Sequence, residues 1–310
     1  MSAGFESFTR GDVFAAATLL NNASDDHAGQ GRIIQYDASL QQKAVLTTPL
    51  TTHLITGLKF DAQGRLWAFD SQAFVIFTVD GRGHIEPRRF DQRPFSNVNF
   101  LADGGVLLGE HLVGSQMKPE IAARMGTRLP HMPGTGRFGD GHVFRYAADG
   151  KRVKEYATAT HGGMGGFLGV TMSALSPDES TLYYVSETGP RLMRYDLKND
   201  RQLPDLVSYP DGQREMFFGV AFARDGSLLV SRGARIDVLD PADGKVRRSY
   251  ALEGGFGWAT ITPSADGRSI LAGNFFSGEL IRIDADSGAR LASTNVGVAK
   301  SLAGIAEYAG

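Results

Sequence analysis

A six-fold internal repeat limits what this chain can fold into more than any other feature. The segments are "RIIQYD" (Arg32 to Asp37), "VIFTVD" (Val75 to Asp80), "HVFRYA" (His142 to Ala147), "RLMRYD" (Arg191 to Asp196), "RIDVLD" (Arg235 to Asp240) and "ELIRID" (Glu279 to Asp284). They share an apolar pair, then a polar or small residue, then an apolar one. Their last residues fall at 37, 80, 147, 196, 240 and 284, giving steps of 43, 67, 49, 44 and 44. A repeat of roughly 40–45 residues marks units that stack because none can bury its apolar face alone.

Ahead of most segments lie two further strand-like runs joined by a tight turn, as in "GLKFDAQGRLWAFD", "VNFLADGGVLLGEH" and "VAFARDGSLLVSRG". Gly and Asp suit such turns because they accept a positive φ at low cost. A fourth strand follows each segment, for example "KRVKEYAT" and "KVRRSYAL". Four antiparallel strands per unit describe a propeller blade, so six units predict an all-β, six-bladed β-propeller. The first unit lacks its inner strand, since "GDVFAAATLL" reads as a second strand leading into "GRIIQYD". The C-terminal "SLAGIAEYAG" supplies the missing one, and the ring closes by pairing that strand with the N-terminal strands.

One domain spanning residues 1–310 is expected, because 42% hydrophobic content supports a full core and no composition break divides the chain. The long second step comes from an insertion at about 111–140 in blade 3. Its "KPEIAARMG" reads as a turn or two of helix, in what is either a partly ordered cap or a surface excursion. A net charge of -2 gives no reason to invoke nucleic acid or an anionic membrane. No apolar run approaches a membrane span and the N-terminal residues do not form a signal peptide, so a cytoplasmic protein is expected. The absence of cysteine excludes disulfides, thiolate metal sites and a Cys nucleophile.

With "SPDESTLYYVSETGPRLMRYDL" and "FARDGSLLVSRG" in view, the chain resembles the superfamily of senescence marker protein, gluconolactonase and strictosidine synthase-like six-bladed propellers. The resemblance covers nearly the whole chain, and its motifs are those of the scaffold. It implies, for hydrolytic members, a divalent cation held at the top of the channel by Glu, Asn, Asn and Asp, an oxygen set suited to Ca²⁺. The matching ring here is Thr56, Asn97 or Ser96, Thr171, Phe218, Ala259 and Ala303. Only Asn97 is family-like; Thr171 stands where a second Asn is expected and Phe218 where the Asp is expected. The family's "EGP" tripeptide is missing as well. No cofactor is therefore predicted, and Ca²⁺ is disfavoured.

Candidate residues lie in the loops between strands 2 and 3 and between blades, which open on the face where the inner strands begin. Glu110 and His111 are the first catalytic candidates, since a carboxylate beside an imidazole can act as general acid and base. Neighbours on a regular strand point to opposite faces, so only a break in the strand would let both act together. His161, opening the glycine-rich "HGGMGGFLG", is the third. Substrate-binding candidates are Asn97, His53, Glu187, Arg232 and Asn274, with the aromatics Phe218, Trp258 and Phe275. The aromatic weight of this face points to an apolar or aromatic small molecule. No G-x-S-x-G elbow occurs, and Ser173 in "VTMSAL" has no base near it in sequence. The expectation is lactone or ester hydrolysis, or a related lyase or isomerase reaction, by acid/base chemistry; a non-catalytic propeller that binds a ligand or protein is the alternative. Sequence does not set the oligomeric state.

Overall fold

The structure, a computed structural model, describes residues 4–23, 29–48, 56–71, 73–111, 141–161, 169–186, 188–210, 213 and 215–310. Blade 1 takes β1 (Val13–Leu20), β2 (Gly29–Tyr36) and β3 (Gln42–Thr47). Blade 2 is β4 (Gly57–Phe60), β5 (Leu66–Asp70), β6 (Val75–Val79) and β7 (Ile85–Arg88). Blade 3 is β8 (Phe95–Phe100), β9 (Val106–Glu110), β10 (Val143–Tyr146) and β11 (Arg152–Tyr156). Blade 4 follows as β12 (Met172–Leu175), β13 (Thr181–Val185), β14 (Arg191–Asp196) and β15 (Arg201–Ser208). Blade 5 is β16 (Val220–Phe222), β17 (Leu228–Ser231), β18 (Arg235–Leu239) and β19 (Val246–Ala251). Blade 6 is β20 (Trp258–Pro263), β21 (Ser269–Asn274), β22 (Glu279–Asp284) and β23 (Arg290–Asn295). The last strand, β24 (Leu302–Glu307), pairs antiparallel with β1 from Val13↔Glu307 to Ala17↔Leu302 and completes blade 1 from the inside.

Each repeated segment of the sequence forms the third strand of its blade, and each tight turn joins strands 1 and 2. In "ADGG" the turn glycine, Gly104, has φ +83°, which any side chain would strain. Middle strands such as β5 and β9 are buried along their whole length and on both faces, because every sheet is covered by two others. Outer strands such as β19 and β23 are mostly exposed and carry the alternating polar residues.

The core divides into six apolar clusters, one between each pair of neighbouring sheets. Phe14 and Phe77 pack between blades 1 and 2, Phe95 and Phe69 between 2 and 3, Tyr184 and Leu107 between 3 and 4. Val185 and Val230 join blades 4 and 5, Ile236 and Ile281 join 5 and 6, and Leu302 and Leu280 join 6 back to 1. Six sheets with six such interfaces make a closed ring, the six-bladed propeller that the repeat predicts. Tyr308, just past β24, sits 5.5 Å from Phe8 and 5.2 Å from Phe60, tying the C-terminal strand to both blades it touches. No described helix is long and apolar enough to cross a membrane. The insertion, apart from its first residue, lies outside the described residues.

Candidate functional site

The inner strands surround a central cavity of about 690 Å³. Near the strand starts they converge until a side chain no longer fits: a Cβ on Gly57 would stand 2.1 Å from the Ser96 carbonyl oxygen. From Gly57, Asn97 and Gly304 the lining runs to Asp61, Pro177 and Ala265 in the first hairpin turns. Among the described residues the cavity thus extends toward the face opposite the one where the sequence places the site. Its walls carry the half-buried Phe100, Met172, Leu175, Phe222 and Pro263 beside polar side chains that include Lys59, Asn97, Asn99 and Ser173.

Those polar groups form one connected chain across three blades. Residues two apart on a strand share a face, so Asn97 and Asn99 of β8 both point toward Ser173 of β12. Ser173 Oγ donates to Asn97 Oδ1 at 2.5 Å, and Asn99 Nδ2 donates to Ser173 Oγ at 2.8 Å. Asn97 Nδ2 donates to the carbonyls of Val170 (2.8 Å) and Thr171 (3.1 Å), anchoring the chain on the backbone entering blade 4. A bulge between Phe95 and Asn97 turns the start of β8 toward these carbonyls. At the other end, Lys59 of β4 donates to Val98 O at 3.0 Å and to Asn99 Oδ1 at 3.3 Å.

Lys59 has no ion-pair partner among the described residues. The carboxylates lining the same cavity are engaged elsewhere: Asp61 with Arg65 and the Trp67 indole, Glu307 with Arg282, Glu179 with the Ala102 N–H. Lys59 is exposed to the channel, yet the six inner strands ring it and leave its ammonium less fully hydrated than in bulk water. That desolvation pushes its pKa down to about 8 from the ordinary 10.5. The result is an amine that exchanges its proton near neutral pH, backed by neutral amides.

Glu110 is held by an ion pair and backbone N–H groups. Its carboxylate is fully buried, pairs with Arg93 at 2.9 Å, and accepts the Gly141 and His142 N–H groups at 3.1 and 3.3 Å. It thus fastens the chain re-entering blade 3 at β10, while Arg93 covers the Phe144 ring. The half-buried His111 donates its backbone N–H to Pro94 O at 2.7 Å. His161 donates its own to Ser186 Oγ at 2.9 Å. Arg232 is buried against Phe217 and Tyr209, ion-paired with Glu215 and Asp237, and so braces blade 5. Trp258 is wholly buried, its indole donating to Glu253 O at 3.1 Å. Asn274 Oδ1 accepts the Phe276 and Ser277 N–H groups and shapes that turn. Phe218, Phe256, Phe276 and Phe275 form a continuous aromatic group on the face where the inner strands begin. His53 and Glu187 lie outside the described residues.

The ring positions themselves carry no charged oxygen for a divalent cation. Asn97 Oδ1 already accepts from Ser173, Phe218 offers an aromatic edge, and Thr171 gives only a neutral hydroxyl. Among the described residues no three His, Asp or Glu side chains come together. Lys59 and Asn99 were not among the candidates read from sequence. The available signal was a lysine and an alternating Asn-x-Asn on strands that the repeat makes innermost.

No family model matches the chain, and no curated protein does. Among solved structures, a chain of a nidogen/laminin complex superposes with a TM-score of 0.61 at 14% identity, covering 96% of this chain and 98% of that one. A catalytically inactive virginiamycin B lyase from Staphylococcus aureus, solved with quinupristin, gives 0.56 at 11% identity, covering 96% and 89%. The selenomethionine form of that lyase gives 0.53 at 13% identity over 93% and 90%. These likenesses show the fold. A lyase and a member of a protein complex share this scaffold, so the scaffold by itself does not choose between catalysis and binding.

Proposed function

We propose that the chain is a small-molecule enzyme whose reaction takes place in the central channel, by acid/base chemistry on a carbonyl-bearing substrate with an apolar or aromatic body. Hydrolysis of a lactone or ester, or a related lyase or isomerase reaction, falls within what this site can do. The observation that carries the proposal is the amide and hydroxyl chain from Asn97 through Ser173 and Asn99 to Lys59. It holds an amine that has no counter-ion among the described residues against a partly apolar cavity large enough for a small ligand. Lys59 is the proton-transfer group, Asn99 and Ser173 position it, and the half-buried aromatics around the lumen take the substrate body. Glu110 is assigned to holding blade 3. No step is routed through a metal.

The test is a thermal-shift screen of aromatic lactones, esters and carbonyl compounds, followed by turnover assays on those that stabilise the protein. Lys59→Met is expected to abolish turnover of the hits while the fold persists; unchanged turnover would remove Lys59 from the mechanism. A non-catalytic binding role is the second reading. It is favoured by Phe256 and Phe276, exposed at 42% and 45% with rings stacked 6.1 Å apart on the strand-start face. Hits that stabilise the protein but are never consumed would favour that reading.

A further inference from the structure

We infer that Lys59 is a nucleophilic amine that captures an aldehyde or ketone of apolar body inside the channel as a reversible imine. The inference rests on the channel being the reaction site, and it narrows the substrate to a carbonyl compound open to attack by nitrogen.

The geometry supplies three conditions. Among the described residues the amine has two hydrogen-bond acceptors, Val98 O at 3.0 Å and Asn99 Oδ1 at 3.3 Å, and no carboxylate partner. A neutral amine has two N–H bonds, so these acceptors use both and leave the lone pair for a ligand in the cavity. Both hydrogen-bond partners are neutral, and desolvation by the ring of inner strands favours the uncharged, nucleophilic form. With the pKa at about 8, about a tenth of the amine is neutral at pH 7, against less than about a thousandth for an ordinary surface lysine. Finally, the half-buried Phe100 and Phe222 line the same cavity and offer an aromatic body something to pack on.

The step balances without a further reagent. Lys59 Nζ attacks the carbonyl carbon, forming the C–N bond while the C=O π pair moves to oxygen. The nitrogen then loses both hydrogens, the oxygen leaves with them as water, and the imine remains. Protonated, that imine withdraws electrons from the neighbouring carbon, which suits bond cleavage or proton abstraction there and favours a lyase or isomerase reaction over simple hydrolysis.

The test treats the full chain with cinnamaldehyde and sodium cyanoborohydride at pH 7.5, reading intact mass and the modified position by peptide mapping. Labelling at the chain's terminal amine counts as background. Expected is one adduct at Lys59, formed at least tenfold faster than at the exposed Lys151 and Lys245, and absent from Lys59→Arg. In parallel, calorimetry measures binding of cinnamyl alcohol, which fills the same space but cannot form an imine. Alcohol binding with labelling spread evenly over the lysines overturns the nucleophile while leaving the channel site standing. Failure of both overturns the nucleophile and the channel reading together.

Discussion

Replacing Lys59 by Met is expected to stabilise the fold at neutral pH, although most substitutions of hydrogen-bonded side chains destabilise. The ring of inner strands holds this amine at about 8 against an ordinary 10.5. That gap of about 2.5 pH units, at 1.36 kcal/mol per unit, means the charged form costs the folded chain about 3 kcal/mol below pH 8. The side chain is exposed to the channel, and water there screens the ammonium. About 1 kcal/mol is therefore the gain to expect from the methionine, whose loss of hydrogen bonds leaves Val98 O and Asn99 Oδ1 facing the same water. The pH dependence has a definite sign. Between about pH 8 and 10.5 the unfolded wild-type chain holds a proton that the folded chain has released, so this residue makes wild-type stability rise with pH through that window and level off above it. The Met variant lacks that contribution. Urea unfolding of both proteins at pH 7 and pH 10.5 should show the variant ahead by about 1 kcal/mol at the lower pH and the advantage gone at the higher. A variant less stable at pH 7, or an advantage that does not change with pH, refutes the reasoning.

Three further outcomes follow from the geometry. Truncation at Lys300 removes β24 with the buried Leu302, Ile305 and Ala306, a loss of about 5 kcal/mol that approaches the whole stability of a domain; circular dichroism should show no cooperative melting. Glu110→Gln leaves Arg93 without its buried partner and should cost about 2 to 3 kcal/mol in urea unfolding, with binding of a channel ligand unchanged. Gly57→Ala places a methyl 2.1 Å from the Ser96 carbonyl and should cost about 3 kcal/mol or more, read as a lowered melting temperature.

The fold was legible because a propeller writes itself into sequence locally. "VIFTVD" and "ELIRID" are buried on both faces between neighbouring blades, and turns such as that around Gly104 demand particular residues. Even the closing strand could be read, since "GDVFAAATLL" left one inner position to fill. The site was less legible. In "GLKF", Lys59 alternates with apolar neighbours like any polar residue on a half-buried strand, and alternation does not say whether its polar face meets bulk solvent or a channel. Only ring closure decides that. Glu110 beside His111 reads as an acid/base pair in sequence, and the Arg93 that pairs with Glu110 in the structure lies 17 residues away with no local signature. The family-like ring marks the strand starts, whereas the connected polar groups run further down the inner strands through Asn99, Ser173 and Lys59.

The central claim is that a single amine in the channel changes charge near neutral pH, and nuclear magnetic resonance of the protein labelled with ¹³Cε-lysine measures it directly. One resonance is predicted to titrate near pH 8 and to be missing from Lys59→Arg. If the resonance that Lys59→Arg removes titrates above pH 10, the channel amine is an ordinary surface charge and the account is contradicted.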